Sequence, residues 1–454
     1  MPDIATAHDA HLSLWQSAVD AAAVAEKQAT PTDETPHPAA VATAAVVESK
    51  DPCVDCEKNG LPHHDGELAT LSAAHFQLAE AEAAQNPIDQ RIAERIIATS
   101  GLHDAPAGSI FRTAVGMFKV FVGKLNRPVY RNWKEEGGGN IGYSTIEWRV
   151  PARGRVAILS DWGTGYADAE AVLRAACAFD PDAILHLGDI YFAGTEFECR
   201  LKFLDPMRRY AFKGGPGGEP IPVFTTAGNH DYYSGGAGFH WLLDNLNEGA
   251  QRQPASYFSL RSEDDGWQFL AVDTGFDSRH DVIYSHQFGS IPQPDEVEWM
   301  AHKFDTFPGR TVLLSHHQAF SNLSRMGGDE DDRKPPFDAV NKRLLAIVEP
   351  YVEKIAAWFW GHEHNLMVYK PWNGIRARSV GHSARPVKVR QIEEEASYAY
   401  AVEEARLSER GESGYLNHGF EIIDLGGRGN PAQVSYYEVL ESGMPRLVYR
   451  EEVA

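Results

Sequence analysis

The chain lacks the features that mark secreted and membrane-spanning proteins. It has only 4 cysteines in 454 residues, too few for a disulfide framework in a chain of this length. The N-terminus has no basic segment followed by an apolar one, which argues against a secretory signal. No apolar run approaches the ~20 residues needed to cross a bilayer. These absences predict a soluble, cytoplasmic protein without a membrane span.

Positive charge is also scarce. The chain carries 42 Lys and Arg against 64 Asp and Glu, a formal net charge of -22. Such an acidic surface repels phosphate backbones, which disfavours nucleic acid and anionic membranes as partners. A small phosphorylated substrate remains compatible with this charge, because a local metal site overrides a distant field.

What the chain does contain is a large apolar fraction and clear changes of composition. Hydrophobic residues make up 43% and aromatic residues 11%, which predicts a globular protein with a large core. Residues 1–66, rich in Ala, Thr, Pro and acids, predict a weakly ordered arm. Residues 67–150 have apolar residues at helical spacing and predict a mostly helical N-terminal region. Residues 151–454 read as one α/β domain.

The arm contains a possible zinc knuckle. Cys53 and Cys56 form a CxxC that is followed by His63 and His64. The spacing lacks a second CxxC and fits no common zinc finger. We therefore favour two unrelated thiols in a loop.

The α/β domain begins with short apolar runs at 156–160, 183–188 and 221–226, separated by helical patterns at 167–179 and 196–211. This β-α-β-α-β order predicts a parallel sheet covered on both faces. Further strands are expected at 257–260, 267–273, 311–315, 356–360, 366–370, 376–380, 420–424, 433–439 and 445–449. Helices are expected at 295–304 and 339–348, with a helical insertion at 388–413. Together these segments predict a four-layer α/β/β/α sandwich of two mixed sheets.

Polar side chains follow five of these strands directly. In open α/β sheets, ligands bind at the carboxyl ends of the strands. Carboxylates, amides and imidazoles at five strand ends are therefore expected to meet at one rim, although each alone also suits a helix cap or a turn. The residues at these ends are Asp161, Asp189, Asn229, His230, Asp231, His316, His362 and His364.

These residues form motifs that occur in a recognisable order. The motifs are Asp161-Trp162-Gly163, Gly188-Asp189, Gly228-Asn229-His230-Asp231, Ser315-His316 and Gly361-His362-Glu363-His364. They resemble the signature of the calcineurin-like metallophosphoesterases, and the first motif resembles the form found in the purple acid phosphatase branch. The resemblance covers roughly residues 154–385, about half of the chain, and implies the metallophosphatase fold.

The resemblance also implies a dinuclear metal centre holding Fe, Mn or Zn. One ion would be bound by Asp161, Asp189 and His364, and the other by Asp189, Asn229, His316 and His362. Two cations ~3.5 to 4 Å apart can share a hydroxide that acts as a nucleophile near neutral pH. His230 would stabilise the transition state or protonate the leaving oxygen, and Asp231 would orient its imidazole.

Two positions depart from the pattern of that branch. The branch places a tyrosine three residues after the bridging aspartate, where this chain has Phe192, with Tyr191 one residue earlier. Tyr191 either coordinates the first metal across a shortened loop, which we favour, or is a packing aromatic. Animal-type members carry another histidine in the loop after His316. Here either His317 or Arg325 takes that role, or both are ordinary surface groups.

The sequence thus predicts a metal-dependent phosphoric ester hydrolase, with a phosphomonoesterase favoured. A phosphodiesterase with the same metals is the nearest alternative. A non-catalytic scaffold with a degenerate first metal site is an alternative of another class. The N-terminal region is either part of this enzyme or a separate binding module.

Overall fold

The computed structural model describes residues 13–14, 16–22, 128–136, 146–280, 290–321, 339–389 and 401–454. Several sequence predictions lie outside the described residues, among them the zinc knuckle at Cys53 and Cys56, most of the arm 1–66, most of the helical region 67–150, and the role of Arg325. The described residues contain two mixed sheets of six strands each and one small two-stranded sheet.

The first sheet joins the beginning of the α/β domain to the C-terminal end of the chain. Its strands follow the order β14-β13-β12-β1-β2-β3. β1, β2 and β3 run parallel, whereas β12 pairs antiparallel with β1, with Glu421 opposite Ile158. The strands are β1 (Arg155–Leu159), β2 (Ala183–His186), β3 (Val223–Thr225), β12 (His418–Asp424), β13 (Ala432–Val439) and β14 (Pro445–Val453).

The second sheet is built from the middle of the chain and has the order β10-β11-β9-β6-β5-β4. Its four inner strands are parallel, and its edge strands β4 and β10 are antiparallel to their neighbours. Its strands are β4 (Phe258–Arg261), β5 (Trp267–Ala271), β6 (Arg310–Ser315), β9 (Ile355–Trp360), β10 (Leu366–Val368) and β11 (Ala377–Val380). The two-stranded sheet pairs β7 (Phe320–Ser321) with β8 (Ala339–Val340).

Helices cover the outer face of each sheet. A buried apolar cluster lies between the sheets and includes Ile158, Leu185, Phe269 and Leu314. A second cluster joins the first sheet to the helices at 167–177, 205–210 and 237–246, and a third joins the second sheet to the helices at 294–306 and 342–348. The helices are α1 (Trp133–Glu136), α2 (Ala167–Cys177), α3 (Glu196–Glu198), α4 (Asp205–Tyr210), α5 (Asn229–Tyr233), α6 (Ala237–Leu246), α7 (Pro294–Thr306) and α8 (Lys342–Val348), with a π-helical turn Cys199–Leu204 between α3 and α4. The predicted four-layer sandwich of two mixed sheets is thus confirmed.

Local sequence explains where these elements begin. Thr195 caps α3 by accepting the backbone N–H of Glu198, whose side chain bonds back to the Thr195 backbone N–H, the reciprocal pattern of a capping box. α7 starts at Pro294, with Asp295 and Glu296 in its first turn; proline fits a first turn, and acids there complement the helix dipole.

Two predicted helical stretches differ in the structure. Residues Ala339–Val340 form β8 rather than helix, because Asn341 accepts the N–H of Leu344 and starts α8 only after it. Residues 401–413 contain turns and isolated bridges and no helix. Buried Glu438 accepts the N–H of Ser408 at 2.8 Å and holds that stretch against β13. Residues 390–400 of the predicted insertion lie outside the described part of the chain.

Two pieces from the N-terminal third contact the sandwich. Residues 16–22, within the predicted weakly ordered arm, are helical. Residues 128–136 run along α7, where Trp133 Nε1 donates to the Asp295 carbonyl at 2.8 Å and the Tyr130 hydroxyl to Glu296 at 2.9 Å. Within the residues described above, no helix has the length and apolar character that crossing a membrane requires.

Candidate metal centre

The predicted rim exists, and sharp reversals of the backbone create it. Asp161, Asp189 and His362 each lie in the loop directly after a parallel strand. Their φ angles are +54°, +73° and +66°, values uncommon for residues other than glycine. Such turns direct the side chains back across the strand ends, and residues held in this region cluster at functional sites.

The first group of side chains comprises Asp161, Asp189, Tyr191 and His364. One ligand atom each from Asp161, Asp189 and His364 lies within 4.8 Å of the others. The Tyr191 hydroxyl donates to Asp161 Oδ1 at 2.9 Å and lies 3.0 Å from His364 Nε2. Tyr191 therefore reaches the group expected for the first metal, although it stands one residue early in sequence.

The second group comprises Asn229, His316 and His362, next to Asp189. Asn229 Oδ1 lies 3.2 Å from His316 Nε2 and 3.1 Å from His362 Nδ1, and Asp189 Oδ1 lies 3.4 Å from His316 Nε2. The Asn229 amide donates to the Tyr233 hydroxyl at 2.6 Å, which turns its oxygen toward the histidines. His316 Nδ1 lies 2.8 Å from the Leu187 carbonyl oxygen, to which only an N–H donates. Such a bond fixes the tautomer that leaves Nε2 free for a metal.

The arrangement of these groups fits metal ions. Asp189 contributes to both groups, and its fully buried Oδ2 has no hydrogen-bond partner among the described residues. An unpartnered buried carboxylate oxygen is costly, and a cation would satisfy it. A Cβ on Gly228 would lie 2.1 Å from Asp189 Oδ1, and one on Gly361 would lie 2.5 Å from Asp161 Oδ2. Both glycines thus leave room for the carboxylates, and the oxygen and nitrogen donors suit Fe, Mn or Zn.

The charges of the site support each other. Burial opposes ionisation of Asp161 and Asp189, but the neighbouring histidines outweigh it, so the pKa of both carboxyl groups lies below its ordinary value. Burial also opposes the charge of His316, yet Asp189 raises the pKa of His316 to about 9. Because a metal binds the neutral imidazole, an ion entering the site must displace that proton.

His230 faces the metal groups through one ring nitrogen. Its Nδ1 lies 2.6 Å from the Phe192 carbonyl oxygen, and its Nε2 lies 3.8 Å from Asp189 Oδ2. Burial lowers the pKa of His230 despite the charge of Asp189. The Nδ1 bond holds the ring so that Nε2 can exchange a proton at the rim.

Asp231 does not orient His230, contrary to the sequence prediction. Its carboxylate accepts the backbone N–H groups of Gly228, Asp189 and Ile190 at 2.7, 2.9 and 3.1 Å. It stands at the third position of α5, where a side chain reaches back to cap the helix, while successive residues of a helix do not face each other. Asp231 therefore ties the loop after β2 to the loop after β3.

The sequence left open whether His317 takes the role of the missing histidine or is an ordinary surface group. The structure excludes the second alternative. His317 is 2% exposed. Its Nδ1 lies 3.0 Å from Thr274 Oγ1 and its Nε2 3.0 Å from Ser278 Oγ. Its ring is tilted by 44° to that of His362, with 4.4 Å between the ring centres. One ligand atom each from His316, His317 and His362 lies within 4.8 Å of the others, so His317 lies directly beside the second group. His186 is a buried histidine with a local partner, Thr225.

Sequence reasoning missed three contributors. The Phe192 carbonyl, the Lys202 ammonium 2.9 Å from the Tyr191 carbonyl, and the Arg385 guanidinium 5.4 Å from the centre of the Tyr191 ring all border the site. No motif contains them in these roles. The only sequence signal was the position of Arg385 shortly after a predicted strand.

This fold and these ligand groups define a domain of the metallophosphoesterase class. Residues 154–366 match the sequence model of the calcineurin-like phosphoesterases, and the domain that they form belongs to that family. None of the curated proteins compared with the chain matches it.

The solved structures that are similar to the chain include the following two. GAP50, described as the anchor in the inner membrane complex of Plasmodium, is 12% identical with a TM-score of 0.43, covering 66% of this chain and 88% of its own. Purple acid phosphatase PPD1 from seeds of yellow lupin (Lupinus luteus) is 15% identical with a TM-score of 0.41, covering 66% of this chain and 54% of its own. The chain thus spans about half of the lupin protein, and similarity at this level carries no argument about function.

Proposed function

We propose that the protein is a dinuclear metal-dependent phosphoric ester hydrolase of the purple acid phosphatase-like kind. The observation that carries the proposal is Asp189, which lies between two groups of ligand side chains and whose buried Oδ2 has no hydrogen-bond partner in the part of the chain that the structure describes. Asp161, Tyr191 and His364 would hold one ion with Asp189. Asn229, His316 and His362 would hold the other with Asp189.

The residues around the two proposed ion positions would donate a proton and hold the loops of the site in place. When bound, two such ions supply a nucleophile from water near neutral pH and neutralise charge on the phosphoryl oxygens. His230, whose Nδ1–H donates to the Phe192 carbonyl, would give a proton from Nε2 to the departing oxygen as the imidazolium, a form that the charge of Asp189 favours and burial opposes. Asp231 holds the two loops that carry Asp189 and Asn229 in register.

Arg385 supports the preference for monoesters. Its guanidinium lies over the face of Tyr191, and its charge contributes to the lowered pKa of His230. It thus brings positive charge to the rim of an otherwise acidic chain. A phosphate monoester dianion carries one more negative charge than a diester and gains more from such a cation.

The test combines metal analysis with two substrates. Elemental analysis of the purified protein is expected to find about two ions per chain. Removal with a chelator should abolish hydrolysis of an aryl monoester, and addition of Fe, Mn or Zn should restore it. Faster turnover of the matched aryl diester would favour a phosphodiesterase. Fewer than about one ion per chain, with no activity after addition of metal, would overturn the proposal.

A further inference from the structure

A second polar cluster lies behind the candidate metal centre and connects it to the N-terminal part of the chain. Lys202 Nζ, from the π-helical turn, lies 3.0 Å from Asp20 Oδ2 and 3.4 Å from Glu198 Oε1. It also donates to the Tyr191 carbonyl oxygen at 2.9 Å. The side chains of Lys202, Asp20 and Glu198 are 10%, 9% and 0% exposed, so water screens these interactions little.

The cluster holds the loop after β2. Glu198 accepts the backbone N–H of Phe192, that of Ala193 at 3.1 Å and that of Thr195 at 3.2 Å, together with the Thr195 hydroxyl at 3.0 Å. The Lys202 ammonium lies 4.7 Å from the centre of the Phe192 ring. A buried carboxylate and a buried ammonium thus fix the backbone of residues 191–195.

This loop supplies two groups to the site. It presents the Tyr191 hydroxyl to Asp161 and His364. It also presents the Phe192 carbonyl oxygen that holds the His230 ring. A shift of the loop therefore moves a candidate metal ligand and the candidate acid together.

The N-terminal helical segment 16–22 completes the cluster. Ser17 and Asp20 are three residues apart and so lie on one face of the helix. Ser17 Oγ lies 3.4 Å from Thr195 Oγ1, and Asp20 pairs with Lys202. Without Asp20, the buried ammonium of Lys202 loses a carboxylate partner, a change that is costly for an ion out of water.

We propose that Lys202 and Asp20 are positioning residues for the hydrolase reaction, and that the segment 16–22 is a working part of the enzyme rather than of a separate binding module. This inference rests on the proposed function. Lys202 and Asp20 act through the loop 191–195 and touch no reacting atom.

Point variants of the full chain test the inference. Lys202→Met should lower kcat at least about tenfold, with KM within about threefold, because misplaced catalytic groups cost rate more than binding. Asp20→Asn should lower kcat in the same direction and less, and Asp20→Glu should restore it. Hydrogen exchange of the Phe192, Ala193 and Thr195 amides should quicken in Lys202→Met and Asp20→Asn.

A matched control separates positioning from stability. Arg378→Met also removes a buried cation from a carboxylate, since Arg378 Nη2 donates to Glu451 at 2.6 Å, and Arg378 otherwise bonds to the Tyr369 and Ala377 carbonyls. It is expected to lower Tm while leaving kcat and exchange in the loop at the wild-type level. If Lys202→Met matches Arg378→Met in kcat and in loop exchange, the inference is wrong. If the wild-type protein hydrolyses no phosphate ester, the proposed function fails, and the exchange experiment still decides whether the cluster holds the loop.

Discussion

At the scale of single residues, His230 makes the proposed chemistry testable. Its Nδ1 bond to the Phe192 carbonyl leaves Nε2 beside Asp189, where a proton can pass to a departing oxygen. His230→Gln is expected to lower kcat on phenyl phosphate roughly 10²- to 10³-fold, in the range that general acids contribute. Steady-state kinetics on phenyl and dinitrophenyl phosphates measures the effect, which should be much smaller for the better leaving group.

The leaving-group comparison also serves as the control for His230. Because the ring lies near Asp189, the metal content of His230→Gln must be measured and is expected to equal that of the wild type. An equal loss on both substrates would contradict proton donation. It would leave His230 with a role in stabilising the transition state alone.

Arg385 yields a prediction about substrate choice. Arg385→Gln removes the guanidinium from the face of Tyr191 and leaves a shorter, neutral polar side chain. We expect kcat/KM for an aryl monoester to fall about 10- to 100-fold, the size of a lost charge-assisted contact of ~1.5 to 3 kcal/mol. The diester should lose several-fold less.

Assays of both esters with the wild type, Arg385→Gln and Arg385→Lys measure this ratio. Lysine keeps the charge, so Arg385→Lys should recover part of the monoester rate. Equal losses for monoester and diester would remove Arg385 from substrate discrimination.

At the scale of elements, the close approach of the loops after β2 and β3 depends on Gly228. A Cβ there would lie 2.1 Å from Asp189 Oδ1 and 2.8 Å from His316 Cε1, so Gly228→Ala must displace one of them. We expect metal affinity to fall roughly 10- to 100-fold, the effect typical of disturbing the support of a metal ligand. Metal titration against a competing chelator gives the affinity.

Gly414→Ala is the matched control for Gly228→Ala, since no atom of the described residues lies within 4 Å of a Cβ at that position. It should reduce stability modestly, because the residue has a φ of +78°, and leave metal affinity unchanged. Wild-type affinity in Gly228→Ala would mean that the loops have room to separate.

The positions of the strands and of the site residues could be predicted from sequence, whereas several of their side-chain contacts could not. Buried strands such as β1 and β9 are short continuous apolar runs, and the polar residue after each run marks its end, so the strands and the rim were predictable. The hydrogen-bond partner of His230 Nδ1 could not be predicted, because Asp231 is next to His230 in sequence whereas Phe192 is brought to it only by folding. The contact of Lys202 with Asp20 and that of Arg385 with Tyr191 were missed for the same reason, because each joins segments far apart in the chain.

At the scale of the whole molecule, buried neutral histidines set the response to acid. Burial lowers the pKa of His186, His240 and His382 to about 3 in each case, against an ordinary value of ~6.5. Between pH ~6.5 and about 3, these three histidines are protonated in the unfolded chain and neutral in the folded one. The free energy of unfolding should therefore fall as the pH drops below about 6.5 and continue to fall toward about 3.

His240 offers the cleanest test of this response, since it lies on α6 with Arg131 and Asp244 as its charged neighbours. Its Nε2 lies 3.2 Å from the Val129 carbonyl oxygen, which the amide of a glutamine can also reach. His240→Gln should reduce the slope of unfolding free energy against pH by up to ~1.4 kcal/mol per pH unit in acid, the contribution of one proton. Urea unfolding across this pH range measures the slope. The unfolding free energy of each variant at mildly alkaline pH serves as the reference for its values in acid. An unchanged slope would show that His240 is protonated in the folded protein. If the slope changes, the loss of hydrolysis in acid should grow with incubation time, because unfolding is slow whereas titration of His230 is immediate.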